Sequence, residues 1–301
     1  MKTGVGHGDR VGLISWGNLD AVRLIHSLPK IGSVLVPLNM RSSIRDLVAQ
    51  ITDSRISILV YDPSISPDVL SGIQKSASGI TMVSLSSVAT AASSAVDDEE
   101  LISWDPENLH SIIYTSGSSG NPKGVMLSFK NHLWSATGSS SNIGLNHSDR
   151  WLLCLPIFHV GGIAILIRSV MYGAAVVVHK MFDPVAVNHS IDHLGVTVIS
   201  VVSTMLRRML SDREGKKYPS SLRCVFVGGG PLPLQLFHQA EELKLPVITT
   251  YGMTEATSQI SAMPLDCALH KVGSAGKPIS PVEVRIQNEH GDPTSRSGRG
   301  E

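Results

Sequence analysis

Short, nearly continuous apolar runs recur along this chain, each followed by a stretch with helical spacing. Val11–Ser15, Val34–Leu38, Ile56–Tyr61, Leu109–Thr115, Trp151–Leu155, Ala174–His179, Val196–Val202, Leu222–Val227 and Val247–Thr250 predict strands, many of them apolar on both faces. Leu19–Lys30, Ile44–Asp53, Asn131–Ser139, Pro184–Leu194, Thr204–Ser211 and Leu234–Leu243 carry helical patterns. Strands apolar on both faces and alternating with helices imply parallel sheets sandwiched between helices, an α/β fold. Val282–Gln287 alternates instead, and Glu289-His-Gly-Asp292 after it is a hairpin signal. Ser86–Glu100, rich in Ala and Ser and ending in four acidic residues, reads as an exposed connection without chemistry.

At 301 residues the chain can bury a large core in one or two domains. Lys+Arg and Asp+Glu balance at 25 each, so no overall basic field draws it to nucleic acid. The apolar stretches are broken by Arg168 or by polar residues before they reach the length of a membrane span. Asp9 and Arg10 precede any apolar run, unlike a signal peptide. Cys154, Cys224 and Cys267 are too scattered for a metal or redox pair and suit small buried residues in a reducing, cytoplasmic compartment. Composition is silent on oligomeric state.

The densest chemistry lies in Tyr114-Thr-Ser-Gly-Ser-Ser-Gly-Asn-Pro-Lys-Gly-Val125, directly after an apolar run. Gly117, Gly120 and Gly124 let backbone N–H groups approach a polyanion. Thr115, Ser116, Ser118 and Ser119 add hydroxyls, and Lys123 adds a mobile positive charge. A bare Gly/Ser stretch is an ordinary loop. The lysine, and the buried-looking strand before it, tip the balance to phosphate. A Walker loop needs Gly-Lys-Ser/Thr in sequence, whereas here Pro122 precedes Lys123 and Gly124 follows it. Hydrolase chemistry of the nucleophile-elbow type lacks its Gly-x-Ser-x-Gly.

Thr115–Gly124 resembles the phosphate loop of the adenylate-forming enzymes, the superfamily of acyl-CoA synthetases, luciferases and peptide-synthetase adenylation domains. Ser118 and Ser119 stand where most members carry threonine, which keeps the hydroxyls. Pro156-Ile-Phe-His159, Gly228-Gly-Gly-Pro231, Tyr251-Gly-Met-Thr-Glu255 and Gly273-Ser-Ala-Gly-Lys-Pro278 resemble further motifs of that family, in its order and with roughly its spacing. The resemblance covers nearly the whole chain. It implies the family's large N-terminal domain, with stacked mixed and parallel sheets flanked by helices, binding ATP, Mg2+ and a carboxylate, with coenzyme A as the second substrate.

By that resemblance Thr115 to Gly120 and Lys123 hold the β- and γ-phosphates, and Thr254 contacts the α-phosphate. Tyr251, with Gly252 and Met253 beside it, stacks on adenine, against a wall formed by Gly228, Gly229, Gly230 and Pro231. A core aromatic at a strand end is the plainer reading of Tyr251, and a tight strand-to-helix turn that of the glycines. Glu255 follows a strand at the carboxyl end, where ligands of parallel sheets collect, which suits a magnesium ligand rather than a solvated surface charge. His159 stands out among 12 histidines by its motif alone and, in the family, borders the acyl and thiol channels, a positioning role.

Arg168 interrupts the apolar run Ile163–Met171, where a cation is costly unless paired or snorkelling at a helix edge. Pro156–Gly162 followed by Arg168 and Ser169-Val-Met-Tyr-Gly173 looks like the o-succinylbenzoate–CoA ligases of menaquinone and phylloquinone synthesis. In those enzymes the arginine pairs with the carboxylate that is not activated. The expected activity is thus AMP-forming ligation of 2-succinylbenzoate to coenzyme A. A ligase for another aromatic or medium-chain acid and a catalytically incomplete nucleotide-binding fragment are the alternatives. Both ends look cut: residues 1–301 read as a partial large domain, without the family's ribose-binding aspartate and its small C-terminal domain.

Overall fold

A computed structural model describes residues 4–77, 79–94, 105–115, 122–264, 271 and 273–294. The first sheet contains β1 (Arg10–Ile14), β2 (Val34–Leu38), β3 (Ile58–Tyr61), β4 (Thr81–Ser84), β5 (Leu109–Thr115) and β6 (Lys123–Ser128), in the order β4-β3-β1-β2-β5-β6. All neighbours run parallel except β5 and β6, an antiparallel hairpin. Helices α1 (Leu19–Ser27), α2 (Ile44–Asp53), α3 (Pro67–Ser76) and α4 (Leu85–Ser94) make the connections up to β5. The second sheet orders β13 (Lys277–Pro278), β12 (Ser258–Ala262), β11 (Val247–Met253), β10 (Cys224–Gly228), β9 (Val198–Val202), β7 (Arg150–Leu153) and β8 (Ala175–Val178). Its helices are α5 (Phe129–Ile143), α6 (Val160–Tyr172), α7 (Pro184–His193), α8 (Ser203–Asp212) and α9 (Leu234–Glu242). Here β12 and β13 are the antiparallel members.

Period-two alternation sorts each central strand between two apolar layers. Leu13 and Leu35 join a core that continues through the second sheet to Leu152, Val198 and Val225. Their neighbours Ile14, Val34, Val36 and Leu38 pack the other way, with Leu47 and Ile51 of α2 and Ile73 of α3. Gly12 faces that second layer, where a Cβ would meet Leu59 Cδ1 at 2.8 Å. Such strands leave no face for polar residues, which accounts for their near-continuous apolar sequence. Helix starts follow ordinary capping chemistry. Asn18 caps α1, Ser43 caps α2, a Ser128–Asn131 capping box opens α5, and Asp183 with Pro184 opens α7.

The α/β expectation holds, with corrections. Ser86–Glu100 is not all connection. Leu85–Ser94 forms α4, and Leu85 and Val88, three residues apart, are buried on one helical face; the Ala/Ser composition hid that spacing. Residues 95–104 lie outside the described residues. Val282–Gln287 forms no strand: a single bridge joins Gln287 to Pro293. The expected turn is present there, with Gly291 at φ 85° and its N–H donating to Asn288 O. Helices α3 and α6 and strands β4, β6, β12 and β13 went unpredicted, because each is short, exposed or not cleanly periodic.

At the amino-terminal ends of β7, β9 and β10 a polar clip replaces apolar packing. Asp149 Oδ1 accepts from Thr197 Oγ1 at 2.7 Å and from Arg223 Nε at 2.8 Å, and Arg223 Nη2 donates to Asp149 Oδ2. Arg223 Nη1 also reaches Ile143 O at 2.6 Å. Burial pushes the Asp149 carboxyl up, but the Arg223 and Thr197 hydrogen bonds outweigh it and hold it below the usual range. A depressed carboxylate contributes stability above its unfolded pKa and loses it as pH falls through the folded value. Asp149→Asn should therefore cost about 2–4 kcal/mol at pH 7, because it leaves Arg223 part-buried without its anion. Urea denaturation should show the two proteins converging as pH drops below about 4. An unchanged difference at pH 7 and pH 3 would refute the assignment.

Candidate active site

The parallel strands of both sheets deliver their carboxyl ends to one crevice. A cavity of about 440 Å³ opens there, lined among others by Asn39, Asp46, Thr115, Phe158, His159 and Thr254. Asn39 follows β2, Thr115 ends β5, His159 lies between β7 and α6, and Thr254 follows β11. Four chain segments distant in sequence thus meet at one hole. This is where ligands of open α/β sheets collect.

Ser116, Gly117, Ser118, Ser119 and Gly120 of the phosphate-type loop lie outside the described residues. The flanks are described. Thr115 pairs with Lys123 across the β5–β6 ladder, so the loop is the turn of a hairpin, and the Lys123 side chain is exposed. Tyr114, just before the loop, donates its hydroxyl to Asp53 Oδ2 at 2.6 Å and to Gln50 O at 3.1 Å. Burial and then Asp53 raise its pKa, so the phenol stays a neutral donor that fastens the strand to α2.

His159 is the residue before α6 and makes no side-chain capping bond. Its ring is therefore free to face the cavity, beside Phe158 at 4.6 Å between ring centroids. Desolvation lowers its pKa, which favours the neutral imidazole.

Gly228, Gly229 and Gly230 serve different ends. A Cβ on Gly228 would stand 2.7 Å from Thr250 Oγ1, Gly229 has φ 74°, and a Cβ on Gly230 would meet open space. The first two fit a tight strand exit, and the last leaves bare backbone at the surface. Pro231 is exposed and its carbonyl accepts from Ser203 Oγ at 2.8 Å. Tyr251 is 52% exposed, which overturns the core-aromatic reading. It stands with exposed Gly252 and Met253 on the last residues of β11.

Beyond them the chain makes a 3-10 turn, Thr254–Ala256, closed by Thr257 N–H donating to Thr254 O at 2.9 Å. Thr257 and Ser258 both hold positive φ, 55° and 95°, an uncommon and strained state for residues with side chains. Gly252 makes the turn possible, since a Cβ there would lie 1.7 Å from Ser258 O. Thr254 is thereby aimed into the cavity, and the exposed Glu255 makes no ion pair among the described residues. No cluster of three or more acidic, His or Cys residues exists among them to cage a metal. One exposed carboxylate next to Thr254 fits Mg2+, which keeps most of its waters and takes one or two protein carboxylates.

Arg168 lies apart from the cavity wall. It is 4% exposed, so it does not snorkel. Its Nη2 donates to Ser135 Oγ at 3.2 Å, its guanidinium lies 6.0 Å over the Trp151 ring, and its Nε lacks a partner among the described residues. Desolvation lowers its pKa to about 10, so it remains charged at neutral pH. His159 and Arg168, both expected at the acid substrate, do not line one cavity.

Sequence reasoning missed the polar layer beneath. His132 Nε2 sits 3.2 Å from Ser111 Oγ, and His110 meets His132 at 4.5 Å between ring centroids. Burial lowers both pKa values, His110 to about 4, so the pair is neutral next to Arg168. The available signal was slight: His110 stands in the run Leu109–Thr115 read as a buried strand, and His132 opens the helical pattern after it.

Comparison with known proteins matches this architecture to a class. The AMP-binding enzyme family matches residues 1–301, and the chain belongs to that family. Among its relatives it is similar to the 2-succinylbenzoate–CoA ligase of Bacillus cereus, 39% identical over 286 residues, 95% of this chain and 57% of that protein. The 2-succinylbenzoate–CoA ligase of a Geobacillus is 37% identical over 288 residues, again 57% of its length. The chain thus spans a little over half the length of the curated relatives it matches. The o-succinylbenzoate coenzyme A synthetase of Bacillus subtilis, solved with AMP, superposes with a TM-score of 0.89 at 34% identity, over 99% of this chain and 60% of that one. The same enzyme has been solved with its acyl-adenylate intermediate and with ATP and magnesium ion. The N-terminal domain of FACL13 from Mycobacterium tuberculosis gives a TM-score of 0.91 at 27% identity, over 97% of this chain and 75% of that one.

A buried cation without a carboxylate partner is a cost the fold carries. Arg168→Met, close in length and apolar, should raise stability by about 1–3 kcal/mol. Urea unfolding of the two proteins reads this directly. A destabilised variant would mean that the Ser135 bond and the Trp151 contact already compensate the charge.

Proposed function

We propose that this chain is the nucleotide-binding part of an AMP-forming acid–CoA ligase, acting on 2-succinylbenzoate, and that residues 1–301 form part of its large domain. The convergence of Thr115, His159 and Thr254 on one cavity at the carboxyl ends of the strands carries the reading. The similarity to 2-succinylbenzoate–CoA ligases supports the choice of acid. A carboxylate oxygen attacks the α-phosphorus of ATP and pyrophosphate leaves. The thiol sulfur of coenzyme A, having lost its proton, then attacks the acyl carbon and AMP leaves.

Both steps gather negative charge, so preorganised donors dominate the barrier. Thr115, Ser116, Gly117, Ser118, Ser119, Gly120 and Lys123 receive the β- and γ-phosphates, and Thr254 Oγ1 the α-phosphate. Bound Mg2+, held through Glu255, would screen phosphate charge. Tyr251, Gly252 and Met253 offer an exposed platform for adenine opposite Gly228, Gly229, Gly230 and Pro231. His159, neutral and at the cavity edge, orients the acyl group rather than moving a proton. Arg168 takes the carboxylate that is not activated.

No helix among the described residues is long and apolar enough to cross a membrane, and Cys154 and Cys224 are buried and free. A cytoplasmic enzyme of small-molecule substrates, with no nucleic-acid partner, fits these facts. The alternative, a ligase of another aromatic or medium-chain acid, draws on Arg168 standing outside the cavity wall.

Two experiments decide. Lys123→Ala and Glu255→Gln in the complete protein should each cost about 2–4 kcal/mol of transition-state stabilisation in ATP–pyrophosphate exchange, without unfolding. Exchange at the wild-type rate in both removes these residues from the mechanism. Arg168→Ala should lose about 2–5 kcal/mol on 2-succinylbenzoate, and much less on an analogue lacking the aromatic carboxylate. Equal losses on both acids make Arg168 structural and favour the alternative.

A further inference from the structure

A continuous hydrogen-bonded path joins the buried arginine to the nucleotide end of the site. Arg168 Nη2 donates to Ser135 Oγ at 3.2 Å, and Ser135 Oγ donates its own hydrogen to the Thr257 carbonyl at 2.6 Å. The three residues come from α6, α5 and the start of β12, and all are at most 9% exposed. A hydroxyl has one hydrogen and two lone pairs, so Ser135 can accept from the guanidinium while it donates onward. The receiving carbonyl belongs to the residue that closes the Thr254–Ala256 turn, through Thr257 N–H to Thr254 O. That turn is held in an uncommon left-handed backbone at Thr257 and Ser258, which persists only where surrounding contacts fix it.

We propose that Ser135 is a positioning residue that couples the acid end of the site, at Arg168, to the turn that presents Thr254 and Glu255 to ATP. The proposal rests on the roles given to Arg168 and Glu255 above. A carboxylate arriving at Arg168 fixes the guanidinium in place, so that Nη2 stays on Ser135 Oγ. With that lone pair occupied, the Ser135 hydroxyl keeps its one hydrogen on the Thr257 carbonyl, and the turn that Thr257 closes is held more firmly. Bonds in such a chain strengthen one another in a poorly solvated setting. The acid substrate and the metal–nucleotide complex should therefore bind with positive coupling, and coupling is reciprocal.

The test is a calorimetric titration of the complete protein with the magnesium complex of α,β-methylene-ATP, which cannot form an adenylate, with and without saturating 2-succinylbenzoate. In the wild type the acid should tighten nucleotide binding about tenfold, within the ordinary range of allosteric coupling. Ser135→Ala should reduce that ratio to about twofold or less while the nucleotide still binds, and Ser135→Thr, which keeps the hydroxyl, should restore it. Arg168→Met, titrated with the acid raised until it saturates because this variant also loses the acid's own partner, should likewise abolish the ratio, which covers a Ser135 variant that folds poorly. A residue that only stabilises the fold would lower the melting temperature and leave the ratio intact. Full tightening in Ser135→Ala overturns the proposal. Should the wild type fail to bind 2-succinylbenzoate, the substrate reading falls. The Mg2+ dependence of nucleotide affinity then decides: a requirement shifted about fivefold in Ser135→Ala supports the anchoring of the turn, and an unshifted one refutes it.

Discussion

Strands buried on both faces leave a chain nowhere to put polar chemistry except at their ends. In both sheets the central strands meet this condition, and two of the polar clusters among the described residues sit at strand ends. At the amino ends of β7, β9 and β10 the polar group is a structural clip of Asp149, Thr197 and Arg223. At the carboxyl ends it is the crevice with Thr115, His159 and Thr254. The division of labour follows from strand direction, since parallel strands send all their exits to the same side.

One group of buried polar side chains away from the strand ends lies between α5, α6 and β5. Arg168, His132, Ser135 and His110 occupy a layer in which several nitrogens find no partner among the described residues. The neutral state of the two histidines limits the cost, because Arg168 is then the charged group of the layer.

Much of this was legible in the sequence, and the reasons are specific. Two-sided burial wrote β2 as an unbroken apolar run, and both β2 and β5 were read with the bounds the structure has. Glycines marked both the exit of β10 and the turn after β11, and Gly228, Gly229 and Gly252 have their own steric reasons at Thr250, Val202 and Ser258. Helix α4 escaped because Ala and Ser report little, and β12 because it depends on a partner strand more than on its own pattern. The link from Arg168 through Ser135 to Thr257 could not be read. It joins residues 33 and 122 positions apart, and serine on a helix carries no sign of where its hydroxyl goes.

The pairing of Thr115 with Lys123 sets a limit on how the loop between them can vary. Within a ladder, a slip of one residue turns every side chain to the opposite face. Leu127, buried in the core, and Lys123, exposed at the mouth, share one strand and depend on one register. Individual letters of the loop can change, as hydroxyl for hydroxyl does at Ser118 and Ser119. An insertion or deletion taken up by β6 rather than by the loop would turn Lys123 and Leu127, four residues apart and so on one face of the strand, to the opposite side together. Loop length is therefore a heritable constraint of its own, separate from loop chemistry.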